Sequence, residues 1–133
     1  MLTVLTTGTF DLLHNGHVAL FAEIKERYPE SHIIVGINGD RRVSEIKDVV
    51  LFSAEERAAI LSALRNVDQV IVFEEDTPLE LIGRVRPDVF AKGPDWAGKD
   101  LPEADVCKEV GAAIVFIGEK TNWSSRLKGK LGC

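Results

Sequence analysis

Short apolar runs of strand length alternate along this chain with segments of helical period. Residues 2–5, 32–37, 69–73, 88–91 and 113–117 are nearly all apolar with little polar alternation, which predicts five strands covered on both faces, as in a parallel α/β sheet. Between them Val18, Phe21, Ile24 and Tyr28 fall at helical spacing. Ser53-Ala54-Glu55-Glu56 reads as a capping box opening a helix over 54–65. Thr77 followed by Pro78 predicts an N-cap and a proline at the first position of a helix over 78–86. A fourth helix is predicted over 102–110, ending at Gly111, and a short fifth over 124–130. This β-α alternation with short connections predicts a single-domain, Rossmann-like doubly wound α/β fold with a five-stranded parallel sheet. Residues 38–52 and 93–101 show no clear element and are expected as loops at the strand ends.

Gly8-Thr9-Phe10-Asp11-Leu12-Leu13-His14-Asn15-Gly16-His17 follows the first strand directly. Two histidines three apart at a helix start lie on one face, and that end offers unpartnered amides and partial positive charge. Such a terminus suits an anion, phosphate above all. In a doubly wound sheet ligands bind beyond the carboxyl ends of the strands. Three segments converge there: Gly8 to His17, Lys92-Gly93-Pro94-Asp95-Trp96, and the stretch from Gly118 through Thr121, Asn122, Ser124, Ser125 and Arg126. The loop after the second strand adds Arg41, Arg42 and Lys47 on the same side.

Plainer roles compete at each position. The histidine pair reads less well as zinc ligands, because only Asp11 lies at a suitable spacing and the Glu of a His-Glu-x-x-His helix is missing. Asp11 is expected first as a cap for the helix after it, and beside that as a substrate contact. One of Ser124 and Ser125 is expected to cap the last helix. Arg57 lies in the first turn of its helix, where the dipole disfavours a cation, which favours a functional role over a surface one. Trp96 either stacks on a ring or anchors its loop.

The charge and composition narrow the partners. The 133 residues carry a net charge of −5, with no basic stripe for a nucleic acid, yet a local cationic cluster still suits one small anion. No apolar run approaches membrane-spanning length, and Met1 leads straight into the first strand without a signal-peptide flank. Two cysteines, Cys107 and Cys133, make neither a disulfide framework nor a zinc pattern, so a reduced cytoplasm is expected.

The motif Gly-Thr-Phe-Asp-x-x-His-x-Gly-His at residues 8–17 resembles, at every fixed position, the signature of the cytidylyltransferase-like nucleotidyltransferases, and the resemblance covers essentially the whole chain, residues 1–133 as one domain. Phe73-Glu74-Glu75-Asp76-Thr77-Pro78, with Pro87-Asp88-Val89 and Lys92-Gly93-x-Asp95 after it, is similar to the adenylyltransferase half of ADP-heptose synthases, whereas Asp95-Trp96-x-Gly98-Lys99 is similar to glycerol-3-phosphate cytidylyltransferases. Flavin- or pantetheine-phosphate adenylyltransferases share the motif, and a non-catalytic nucleotide-binding module is the reading from another class. The resemblance implies transfer of a nucleoside monophosphate from ATP or CTP, with its Mg²⁺, to a small phosphate monoester. It implies catalytic roles for His14, His17 and Lys47. Nucleotide contacts are implied for Gly8, Thr9, Phe10, Gly16, Arg57, Lys92, Gly93, Asp95, Thr121, Asn122, Ser124 and Ser125. Substrate contacts are implied for Asp11, Lys47 and Trp96, and the family suggests a homodimer. Two positions depart from its pattern: Pro94 removes a backbone donor in the loop after the fourth strand, and Trp123-Ser124-Ser125-Arg126 replaces the usual Ser/Thr run.

Overall fold

Five parallel strands in the order β3-β2-β1-β4-β5 form one sheet. The structure is a computed structural model, and it describes residues 1–46, 50–94 and 97–118. The strands are β1 (Leu2–Gly8), β2 (Ser31–Asn38), β3 (Gln69–Phe73), β4 (Val89–Lys92) and β5 (Ala113–Phe116). The helices are α1 (Asn15–Arg27), α2 (Asp40–Ile46), α3 (Ala54–Ser62), α4 (Leu79–Val85) and α5 (Ala104–Val110). Lys47, Asp95, Trp96, Thr121, Asn122, Ser124, Ser125 and the helix expected over 124–130 lie outside the described residues. Among those described, no helix is long and apolar enough to cross a membrane.

The strands read as uniformly apolar because both faces are covered. Val4, Ile33, Val35, Ile37, Val89 and Ala91 point to one face, where they meet Phe21 and Ile24 of α1 and Leu61 of α3. Leu5, Ile34, Phe73 and Phe90 point to the other, against Leu81 and Ile82 of α4 and Cys107 of α5. Alternation along each strand therefore assigns every residue a side. Val18, expected on the buried stripe of α1, instead stays 45% exposed in the first turn.

Local chemistry sets the helix ends. Ser53 accepts from the Glu56 amide at 3.1 Å while the Glu56 carboxylate accepts from the Ser53 amide, the reciprocal box foreseen. Gly111, in the left-handed region at φ 78°, ends α5 as expected. Two expectations are corrected. Pro78 takes the N-cap of α4 itself rather than its first turn, and Thr77 bonds the Leu79 amide only at 3.5 Å. The stretch 38–52 is not featureless: it contains α2, whose Asp40 in the first turn and Arg41–Glu45 pair at i,i+4 were its sequence signals.

Close packing predicts two opposite glycine substitutions. A Cβ on Gly36, in the centre of β2, would stand 2.5 Å from Leu81 Cδ2 and 3.1 Å from Thr7 Cγ2. Gly36→Ala is expected to cost about 1–3 kcal/mol. Gly83, at an exposed position of α4, has nothing within 4 Å of such a Cβ, so Gly83→Ala is expected to gain about 0.5–1 kcal/mol. Urea titration of both variants checks the pair, and a Gly36→Ala midpoint at or above that of the parent would contradict the packing described.

Candidate functional site

A crevice is expected where the sheet's strand order reverses. β1 lies between β2 and β4, so its neighbours are reached by crossovers in opposite directions, the place where doubly wound sheets bind ligands. The β1–β4 ladder ends at the Thr6–Ala91 pair, whereas β1 goes on pairing with β2 to Gly8–Ile37. The Thr6 hydroxyl donates to the Ala91 carbonyl at 2.9 Å and closes the seam. Above it β1 and β4 are no longer paired, with Gly8 and Thr9 on one side and Lys92 and Gly93 on the other.

The turn that leaves β1 is strained and tightly packed. Phe10 and Leu12 have φ of 52° and 65°, each costing about 1–2 kcal/mol for a non-glycine residue. The turn places the Phe10 ring back over Gly8, where a Cβ would stand 2.9 Å from Phe10 Cε2. The ring packs at 5.7 Å from Phe21 and edge-on at 5.0 Å from His17. Phe10 therefore braces the pocket from within the core, and only its backbone remains for a ligand.

His14 is the N-cap of α1 and His17 its third residue. The His14 Nδ1 accepts from the Gly16 amide at 3.0 Å, and the His17 Nδ1 accepts from the His14 amide at 3.3 Å. The two imidazoles thus form a capping box in place of the usual hydroxyl and carboxylate. A neutral imidazole carries one donor and one acceptor; with Nδ1 accepting, Nε2 carries the proton in each ring. The rings stack with centroids 3.9 Å apart. Burial lowers the His14 pKa, and burial followed by the neighbouring His14 lowers that of His17 to about 4. At neutral pH the pair presents uncharged N–H donors at a helix N-terminus, a set suited to phosphate oxygens.

Arg57, expected as a nucleotide contact, is tied into the protein frame. Its side chain is wholly buried, and its donors are committed to protein acceptors. Nε donates to the Phe52 carbonyl at 3.1 Å, Nη1 to the Thr9 and Asn38 carbonyls at 2.9 Å each, and Nη2 to Asp40 Oδ1 at 3.2 Å. The misfit between a cation and the first turn of α3 did signal a special role, but an architectural one. Asp11 is corrected likewise: it does not cap α1. It is 4% exposed, and its two oxygens accept from the Leu51 and Phe52 amides at 2.8 Å each. Asp40, which the sequence reading passed over, accepts from both Arg57 and the Ala54 amide.

Lys92 is the last residue of β4. It follows Phe90 on the α5 face of the sheet, with its ammonium 5.7 Å from the Phe90 ring centroid and 3.4 Å from Glu103 Oε1. Gly93 lies in open space beyond it. Gly118, with φ of 96°, closes toward Leu20 of α1 and Pro94, so the loops after β4 and β5 meet beside α1. Glu75 and Asp76 sit at the far end of β3, paired with Arg84 and Arg41. Among the described residues no group of three His, Cys, Asp or Glu side chains is placed to hold a metal ion.

Two predictions test this geometry. Arg57→Lys keeps the charge but loses the planar fork, leaving buried carbonyls unmet, and is expected to cost about 2–4 kcal/mol in chemical denaturation. His17 protonates at 6.5 when unfolded but only near 4 when folded. Its contribution to stability is therefore complete above pH 6.5 and is lost as pH falls toward about 4. The stability–pH curve of His17→Gln should be flatter over that window, and ring NMR should give an apparent pKa near 4. A His17 ring that titrates at 6 or above contradicts the burial of the ring beside His14.

Comparison with known proteins agrees with this geometry. Residues 5–122 match the family described as cytidylyltransferase-like. The chain is 43% identical over 120 residues to the bifunctional protein HldE of Campylobacter concisus, covering 89% of this chain and 25% of that protein. It is 44% identical over 120 residues to the bifunctional protein HldE of Nitratiruptor sp., covering 89% and 26%. The chain thus spans about a quarter of the length of these curated relatives. Among solved structures, the lipopolysaccharide core biosynthesis protein of Thermoplasma volcanium superposes with a TM-score of 0.73 at 25% identity, over 91% of this chain and 99% of that one. The pantothenate synthetase of Thermus thermophilus shares the fold, with a TM-score of 0.58 at 15% identity over 87% of this chain and 55% of that one. The chain belongs to the cytidylyltransferase-like family of nucleotidyltransferases.

Proposed function

We propose that this protein transfers adenylate from ATP to a sugar phosphate, releasing pyrophosphate, with a heptose phosphate as the acceptor. The observation that carries the transfer reaction is the stacked pair of neutral imidazoles at the N-terminus of α1, beside the crevice between β1 and β4. The acceptor class rests on likeness to the HldE proteins and to a protein named for lipopolysaccharide core biosynthesis.

The nucleophile is a phosphate oxygen of the acceptor, already anionic at neutral pH, so no side chain need remove a proton. It bonds to the α-phosphorus of the MgATP substrate as the bond to the bridging oxygen of the β-phosphate breaks. Negative charge grows on the α-phosphate and the departing pyrophosphate, and the protein's task is in-line positioning and donation to those oxygens. The Nε2–H groups of His14 and His17 supply such donors. Because their Nδ1 atoms are fixed by backbone amides, the donors need little reorganisation. Lys47 is proposed as a further donor. A second reading, CTP with glycerol 3-phosphate, is favoured by Asp95-Trp96-Ala97-Gly98-Lys99.

Pyrophosphate release from each NTP with a panel of sugar and polyol phosphates decides between the two. ATP with a heptose phosphate is the expected pair, and no release with any pair rules out the transfer reaction. His17→Ala is expected to lower turnover on the order of 100–1000-fold, as loss of one preorganised donor does; near-normal turnover would remove His17 from the mechanism.

A further inference from the structure

The β4 wall of the crevice carries an ion pair that is poorly arranged for stability. The side chains of Lys92 and Glu103 are only 11% and 6% exposed. Their N–O distance of 3.4 Å exceeds the 2.7–2.9 Å usual for a charge-assisted hydrogen bond. Glu103 Oε2 is buried with no hydrogen-bond partner among the described residues. The charge is felt nearby: after burial, Glu103 is the main influence raising the pKa of the Cys107 thiol. A buried pair with a half-satisfied carboxylate is commonly no better for stability than a neutral pair of similar size. Its location is not arbitrary. Lys92 is the last residue of β4, one step beyond the Thr6–Ala91 pair where the crevice opens, and Glu103 stands at the N-terminus of α5.

We propose that Glu103 is a positioning residue for the nucleotide: it orients the Lys92 ammonium at the β4 wall so that Lys92 meets an anionic group of the bound NTP. This rests on the nucleotide-binding reading of the crevice. Glu103 touches no ligand and acts through Lys92. The Phe90 ring below the ammonium and the Glu103 carboxylate beside it limit its directions, so little side-chain freedom is left to lose on binding. Lys92 gives this interaction to ground state and transition state alike, so its loss should appear in KM rather than in kcat.

Glu103→Gln keeps the shape and removes the charge. It is expected to raise both the KM for the NTP and its Kd by calorimetry on the order of ten-fold, with kcat within about two-fold of the parent. Lys92→Met should do the same. The double variant Lys92→Met/Glu103→Gln separates positioning from packing. Its Tm should return to that of the parent or above, as neutral replacements of buried pairs often do, while its KM stays raised. Parental KM and Kd in Glu103→Gln overturn the proposal, as does a double variant whose KM recovers together with its Tm. Parent protein that binds MgATP or MgCTP without releasing pyrophosphate refutes the transfer reaction alone, and the Kd comparison then decides the role of Glu103. Parent protein that binds neither nucleotide overturns both readings.

Discussion

One buried guanidinium holds the carboxyl edge of this sheet together. Arg57 reaches from α3 to the carbonyls of Thr9, Asn38 and Phe52 and to the Asp40 carboxylate. Those acceptors belong to the turn after β1, the end of β2, the segment entering α3 and the start of α2. Carbonyls at strand ends have lost their sheet partners, and burial without donors would be expensive for each. A planar fork of five N–H groups meets several of them from one side chain, which no other residue can do. Asp11 complements it with opposite chemistry, accepting the Leu51 and Phe52 amides. Together the two residues fasten the segment before α3 to the turn that carries the histidines.

That fastening explains how a strained turn persists. Phe10 and Leu12 both adopt left-handed backbone conformations, which a free loop would relax. Here the Thr9 carbonyl is held from below and the Phe10 ring is wedged among Gly8, Phe21 and His17. The strain delivers the chain to α1 with His14 at the cap. The imidazoles then cap the helix through their Nδ1 atoms. The capping duty thereby fixes the tautomer of each neutral ring.

The wall across the crevice works on a different principle. On the α1 side, donors are neutral and fixed by backbone hydrogen bonds; on the β4 side, Lys92 is charged and oriented by a buried carboxylate. Both arrangements limit the freedom of the groups they hold. The crevice itself is a consequence of topology, since β1 outlasts its pairing with β4 but not its pairing with β2.

Much of this was legible in the chain. Uniformly apolar strands announced a sheet covered on both faces, the Ser53–Glu56 box and Gly111 marked helix ends, and the spacing of His14 and His17 placed both rings on one turn. These are local matters, decided by period and by the chemistry of residues three or four apart. What the sequence could not decide was the partner of each polar group far along the chain. Arg57 and Asp11 looked like ligand contacts or caps because charged side chains near a motif have few local partners. The donors to Asp11, at Leu51 and Phe52, lie 40 and 41 residues away in sequence, and the Thr9 carbonyl lies 48 from Arg57. Glu103 carried no signal at all until burial placed it beside Lys92. Sequence by itself thus determined the fold class, the capping box of α3, the end of α5 and the histidine pair; tertiary structure alone decided which charges hold the frame, because only the folded chain brings distant backbone groups within hydrogen-bonding reach.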